Sequence, residues 1–301
     1  MILEHLTELD AMALEIAPSR RAVVVASHEE HVLRAVSLSK GKGVVSPVLI
    51  GERQKTEEIL RALGEAPGDY EIIPCDGMAE CVEMAVGLVK RREADFIIKG
   101  IIETADLMRP LLNREKGIVK PGACVSSIAL IESAKYHKLF AMTDMGINTF
   151  PDLERKKQII NNAVWFMRRM GAVEPKVAVL SSVERVNPKQ EDTVEADALK
   201  ALNRSGAIPD CVVEGPISLD LAVKKEAAEV KRYESPVAGD ADILMVPNIL
   251  AGNLLIKGMG IFGDISTADA VLGFDVPVVF GSRGGPVEAK CLSISLCALI
   301  A

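Results

Sequence analysis

The 301-residue sequence predicts an α/β fold, two stacked α/β/α domains with largely parallel sheets and an interdomain cleft. Three features carry this expectation. Short runs rich in Val and Ile alternate along the chain with longer amphipathic stretches, the signature of strands alternating with helices. The short runs are apolar at consecutive positions rather than at every second one, as strands covered by helices on both faces require. Ten such runs are many for one sheet, and they divide near Lys120–Pro121–Gly122, where Pro and Gly punctuate the chain after Glu115–Lys116–Gly117.

Taken in order, Ala22–Ser27 reads as a strand followed by the helical pattern Glu29–Lys40. Pro47–Ile50 precedes Thr56–Ala62, Tyr70–Pro74 precedes Met78–Arg92, and Asp95–Lys99 leads to a helix capped by Thr104. Val125–Ile131 and Leu139–Met142 come next, then the helix Leu153–Met170. Val177–Leu180 pairs with Thr193–Asn203, and Cys211–Glu214 with Leu219–Val230. Ile243–Val246 is followed by the helix-like stretch Ala251–Lys257, and Val276–Phe280 by the apolar helix Val287–Ile300. No internal sequence repeat is detected, so the two halves rest on element count.

Composition narrows the classes of function. Lys and Arg total 35 against 42 Asp and Glu, a net charge of -7, and aromatics are only 4 % of residues. Such a chain lacks both the positive field and the stacking surface of a nucleic-acid binder. The hydrophobic fraction of 49 % excludes a disordered chain. Six scattered cysteines form no CxxC pair and the His residues complete no zinc pattern, so buried free thiols in a reducing cytoplasm are expected. Acidic residues near the start do not resemble a signal peptide, and no apolar run approaches the ~20 residues of a membrane span. The expectation is a cytoplasmic protein without a membrane or nucleic-acid partner.

Several motifs fail on context. Gly258-Met259-Gly260-Ile261-Phe262-Gly263 spells a dinucleotide fingerprint, but it follows a helix-like stretch instead of a strand, so the glycines are expected to form a helix exit and loop. His28 and His31 are three residues apart rather than the four of a metalloprotease helix, and read as a polar first turn. Walker A and a Gly-x-Ser-x-Gly elbow are absent from the sequence. Asp240 and Asp242 could hold a divalent ion, or simply form the turn into the strand Ile243–Val246. No metal site is expected.

Three strand ends carry residues suited to anions. Lys99–Pro110 contains Thr104 at a helix start and Arg109 beside Pro110, placed near that start. Val246–Asn253 brings Gly252, which would permit close approach of a ligand, and Asn253, a donor and acceptor. Phe280–Pro286 combines Ser282, Arg283, Gly284 and Gly285 before the last helix, whose N-terminus would attract an anion. A tight turn with a solvated Arg283 explains the third segment equally well on local grounds. Three such ends together suggest an anion-binding cleft.

The order of these motifs resembles the phosphate acetyltransferase/phosphate butyryltransferase family over nearly the whole chain. The segments YHKLFAMTD (136–144), PDLERKKQIINNAV (151–164), KVAVLSSVERVNPK (176–189) and SPVAGDADILMVP (235–247) are similar to its butyryl branch. TADLMRP (104–110) resembles the segment bearing the family's phosphate-side arginine, and Ser282-Arg283 stands where the family has its active-site pair. The resemblance implies reversible acyl transfer between coenzyme A and inorganic phosphate. It implies no cofactor beyond the CoA substrates, a first domain of 1–120 plus 272–301, a second of 121–271, and a homodimer or higher homo-oligomer formed through the second. Ser282, Arg283 and Arg109 would be catalytic. Thr104, Gly252, Asn253, Lys257 and Gly284 would bind substrate.

This chain departs from the family pattern at five positions. Ala289 replaces an acidic residue seven positions beyond the serine, Gly284-Gly285 replaces Ala-Asp, and Asn248 and Leu250 replace the carboxylates of Asp-x-Glu. Glu288 is the nearest carboxylate, with helix stabilisation as its plain role. The alternatives are an acetyl-specific enzyme, an acyl-carrier-protein donor, a weakened paralogue that only binds CoA or acyl phosphate, and a metal-dependent dehydrogenase of related shape.

Overall fold

The computed structural model describes residues 3–16, 19–281 and 284–301. The chain forms α1 (Leu9–Ile16), β1 (Arg20–Val25), α2 (Glu30–Gly41), β2 (Val45–Gly51), α3 (Arg53–Ala62), β3 (Glu71–Pro74), α4 (Met78–Lys90), β4 (Phe96–Lys99) and α5 (Thr104–Leu111). β5 (Ser126–Ser133) and β6 (Phe140–Thr143) precede α6 (Leu153–Arg169), β7 (Lys176–Leu180), α7 (Glu191–Arg204) and β8 (Val212–Ile217). Then come α8 (Leu219–Val223), α9 (Lys225–Lys231), β9 (Ile243–Met245), α10 (Ile249–Phe262), β10 (Ile265–Leu272), β11 (Val278–Val279) and α11 (Val287–Ile300). Two compact units result: unit I, Thr7–Ala123 with Thr267–Ala301, and unit II, Met1–Leu6 with Cys124–Ser266.

In unit I the strand order is β3-β2-β1-β4-β11-β10. The first five strands are parallel, and β10 runs antiparallel to β11. Val23, Val24, Val25, Leu49, Ile50, Phe96 and Ile97 are fully buried, which explains why these strands read as unbroken apolar runs. The chain builds from β1 outward to β3, then resumes at β4 on the other side of β1. Such a reversal of strand order marks the switch point beside whose strand carboxyl ends open α/β sheets bind ligands, here the ends of β1 and β4. α11 packs on α1 and α2 and is buried nearly all round, so it shows little amphipathic pattern.

Unit II has the order β5-β6-β9-β7-β8, parallel except for β5, which pairs antiparallel with β6. Ile131, Met142, Ala178, Ile217, Leu221 and Leu244 belong to one buried cluster. The turn after β6 is organised by the buried carboxylate of Asp144. It accepts the Ser127 hydroxyl and the backbone N–H groups of Gly146 at 3.0 Å, and Ile147 and Asn148 at 3.1 Å. Asp240 and Asp242 lie at the entrance to β9, as the turn reading expects. Lys138 bridges them at 2.8 and 2.6 Å, while Lys176 and His137 also pair with Asp240. Their charge is balanced by lysines rather than left for a cation, and no group of metal-ligating residues occurs among the described residues.

The α/β character with largely parallel strands is what the sequence predicts; four details differ. The predicted helix Leu219–Val230 divides into α8 and α9 because Lys224 is extended, at φ -123° and ψ 112°. Val276–Phe280 contributes only Val278–Val279, beside Pro277, which has no N–H for a ladder. α1 and β10 were not anticipated; β10 is partly polar, with a half-buried first portion, and breaks the apolar-run signal. Gly258 and Gly260 lie inside α10, and Gly263 ends it, so the glycine motif closes a helix instead of opening one. All six cysteines are free and buried, and no helix among the described residues is long and apolar enough to cross a membrane.

Candidate active site

Unit I gathers three chain segments at the carboxyl edge of adjacent parallel strands β1, β4 and β11. The loop after β4 is laid directly on the end of β1: Gly100 N–H donates to Val25 O at 2.9 Å and Ile101 N–H to Ala26 O at 3.0 Å. A Cβ at Gly100 would stand 2.1 Å from Ala26 O, so no other residue fits this approach. The loop then delivers α5, whose N-cap is Glu103, and not Thr104, which is its first helical residue. The Glu103 side chain makes no cap hydrogen bond there.

The loop after β11 delivers α11 in the same way. Pro286 occupies its N-cap and offers no side-chain cap, leaving first-turn N–H groups without that partner. By contrast, Glu29 caps α2 through His31 N and Val32 N, and Asn248 caps α10 through Ala251 N. Among the described residues, the helices that follow β4 and β11 have no side-chain cap, as is also true of α3, α4 and α7, and their N-termini are positively polarised. This arrangement favours an anion.

Arg109 belongs to the last turn of α5 rather than near its start, because the helix is short and Pro110 still lies within it. Its side chain is 79 % exposed, with one guanidinium nitrogen 4.0 Å from Asp106. Such an exposed pair costs little to rearrange toward a ligand. Gly284 is exposed in the turn before α11. Ser282 and Arg283 lie outside the described residues. Thr104, Arg109 and Gly284 thus come from the two segments that follow neighbouring strands of unit I.

Asn253, Lys257 and Gly252 belong to unit II, on α10. Asn253 and Lys257 are exposed one turn apart. Gly252 has a packing role: it is buried, and a Cβ there would stand 2.8 Å from the Val246 side chain and 3.1 Å from Met145 Cα. The close approach it permits is that of the 144–145 turn rather than of a ligand. The helix begins at Ile249, three residues earlier, with its N-terminus already capped by Asn248.

Two charged groups near the α11 turn were not singled out from sequence. Lys290, only 6 % exposed, donates to Gly285 O at 2.9 Å. Burial lowers its pKa, with Glu29 and Asp269 pulling the other way. Asp269 on β10 is pushed up to about 6 by burial, opposed by the charge of Lys290. The signal for Lys290 was a lone cation in an otherwise apolar helix. His28, at the end of β1, is 8 % exposed and has its Nε2 3.5 Å from Glu52, while His31 faces solvent on α2. The two histidines do not converge, and burial lowers the pKa of His28.

Comparison with known proteins decides among the chemistries this edge could support. The family model described as "Phosphate acetyl/butaryl transferase" matches residues 75–298. The chain belongs to that family. It is 35 % identical over 290 residues to a phosphate butyryltransferase of Clostridium acetobutylicum, covering 96 % of both chains. It is also 36 % identical over 301 residues to a phosphate acetyltransferase of Thermotoga maritima, covering 100 % of both. Among solved structures, a branched-chain phosphotransacylase from Enterococcus faecalis V583 is similar at TM-score 0.82 and 30 % identity, covering 93 % of this chain and 98 % of that one. The enzyme is a phosphate acyltransferase, and its mixed α/β fold is that of the phosphotransacylases.

Proposed function

We propose that the enzyme transfers a short acyl group between coenzyme A and inorganic phosphate, with butyryl-CoA and phosphate giving butyryl phosphate and CoA. The observation that carries the site is the pair of uncapped helix N-termini, α5 and α11, following the adjacent parallel strands β4 and β11. Phosphate and the thioester's developing oxyanion both carry negative charge, so a catalyst must supply preorganised positive groups. Arg109, Arg283 and the N–H groups of the α11 turn supply them.

A phosphate oxygen attacks the thioester carbonyl carbon, a tetrahedral intermediate forms, and the C–S bond breaks to release CoA as thiolate. Ser282 donates a hydrogen bond to the carbonyl oxygen or the departing sulfur. Because a thiol of pKa about 8.5 is a good leaving group, no strong general acid is required. Phosphate already carries ionised oxygens at neutral pH, so Ala289 in place of a carboxylate leaves the chemistry intact. No carbon or sulfur changes oxidation state, and the reaction is assigned no redox cofactor. Thr104 and Gly284 complete the phosphate side.

The butyryl preference is supported by the four segments similar to the butyryl branch and by the clostridial relative. An acetyl preference is the competing reading, motivated by the Thermotoga relative. A panel of C2 to C6 acyl-CoAs, followed by phosphate-dependent release of free thiol, separates them. The highest kcat/KM is expected for butyryl-CoA or a branched C4–C5 thioester. Release from acetyl-CoA alone would assign the enzyme to the acetyl branch, and no release from any of them would overturn the reaction.

We further infer a cytoplasmic homodimer joined through unit II. Six buried free thiols suit a reducing compartment. The exposed face of α10 carries Leu250, Leu254, Ile261 and Phe262, the last 88 % exposed, an apolar stripe that a second copy would cover.

A further inference from the structure

Two of the buried thiols of unit I lie against one another. Cys75 directly follows β3, and Cys81 stands in the first turn of α4. The Cys81 thiol hydrogen-bonds the Cys75 side chain and lies 3.9 Å from Cys75 O, while the Cys75 thiol donates to Gly77 O at 3.4 Å. The residues between them, 76–80, are all exposed, although Cys75 and Cys81 are only 5 % and 1 % exposed. Gly77 is the N-cap of α4 and has no side chain with which to cap it. An uncapped first turn made of exposed residues opens at low cost, and its opening uncovers both thiols.

Cys81 also touches the segment on which the candidate active edge is built. Its sulfur takes a hydrogen bond from the backbone of Ala26, at the end of β1. Ala26 has a left-handed backbone, φ 52°, and its carbonyl oxygen is the atom against which Gly100 is laid. The loop after β4, and with it the start of α5, rests on this residue.

We propose that Cys75 and Cys81 are a redox-sensitive pair, closed to a disulfide by hydrogen peroxide and reopened by a dithiol. The Cys75 sulfur attacks one peroxide oxygen, the O–O bond breaks, and a sulfenic acid and one water result. The Cys81 sulfur then attacks the Cys75 sulfur and expels its hydroxyl as a second water. Two thiols thus lose two electrons to one peroxide, and their protons leave in the waters. Burial pushes the Cys81 thiol up to about 12, so the first attack falls to Cys75, the more exposed of the two. Once bonded to Cys75, the Cys81 sulfur no longer keeps the place that the Ala26 backbone addresses. The seat of the loop after β4 shifts with it, and turnover falls. This last step rests on the reading of that edge as the active site.

The full chain is treated with hydrogen peroxide. Its tryptic peptides are mapped by mass without reduction, and phosphate-dependent CoA release is followed before and after addition of dithiothreitol. The peptide Ala62–Lys90 contains Cys75, Cys81 and no other cysteine. It is expected to lose two hydrogens, whereas oxygen added to Met78 or Met84 raises its mass instead. The kcat should fall by about tenfold or more, the cost of slightly misplacing reacting groups, and return on reduction. Cys75→Ala and Cys81→Ala should turn over within about twofold of wild type and keep that rate in peroxide. A wild-type peptide that retains both thiols, a disulfide that leaves kcat unchanged, or alanine variants as peroxide-sensitive as wild type would overturn the assignment. The mapping needs neither variants nor turnover. A chain that releases no CoA therefore fails the acyl-transfer reading while the disulfide is still read.

Discussion

Gly100 and Ala26 meet so closely that a single added carbon at position 100 would stand 2.1 Å from the Ala26 carbonyl oxygen. This contact ties the loop after β4 to the end of β1 and so sets where α5 begins. Gly100→Ala must displace backbone at both positions. We expect a loss of about 3 kcal/mol or more of stability, read by urea denaturation. A variant as stable as wild type would show that the loop shifts freely and does not fix α5.

Arg109 is exposed and among the described residues makes only a 4.0 Å contact within its own helix, so its removal should spare the fold. Arg109→Ala is expected to lower kcat by about 10²- to 10³-fold, the size of one preorganised charge-stabilising contact. The unfolding temperature should stay within a few degrees. Near-normal turnover would remove Arg109 from the site.

The stripe on α10 tests the proposed dimer. Leu254, 64 % exposed, lies on it, and Leu254→Glu puts a charge in the middle of any apolar contact formed there. Analytical ultracentrifugation should show a shift from dimer toward monomer. A variant that sediments as wild type places the interface elsewhere.

Asp269 gives stability a pH dependence of definite sign. Its carboxyl is raised to about 6 in the fold from an ordinary 3.8, so the folded chain retains a proton that the unfolded chain has released between these values. The associated stability is fully present below about pH 4 and lost as pH rises through 6. Asp269→Asn stays neutral throughout. Relative to this variant, wild type should lose stability from pH 4 to 6 and change no further above. Parallel curves across this range would show that the carboxyl is not held neutral by its surroundings.

How much of this was legible in the sequence varied with the physical range of the signal. Strands such as Ala22–Ser27 and Asp95–Lys99 were visible because burial on both faces demands consecutive apolar residues, a local property. β10 was not, because Ile265–Leu272 mixes polar and apolar positions and becomes a strand only through pairing with a neighbour. The segments carrying the family resemblance, and with them the reaction class, were readable as motifs. The role of Gly252 was not: its neighbours Met145 and Val246 are brought together by tertiary folding, so a packing glycine read as a ligand glycine. Thr104 was misplaced by one position for a similar reason. The cap depends on where the loop leaves Gly100, and the contact with Ala26 decides that.

By itself, then, the sequence determined the alternation of buried strands and helices, the anion-suited strand ends, and the family, all encoded in residues near one another along the chain. Tertiary structure alone decided that β4 and β11 are neighbours, so that two uncapped helices 183 positions apart, at Thr104 and Val287, begin from adjacent strands. It also decided that the ammonium of Lys290 turns inward to Gly285. The overall charge of -7 describes the whole chain. An anion instead responds to the few dipoles and cations within a few ångströms of it, and only folding brings those together.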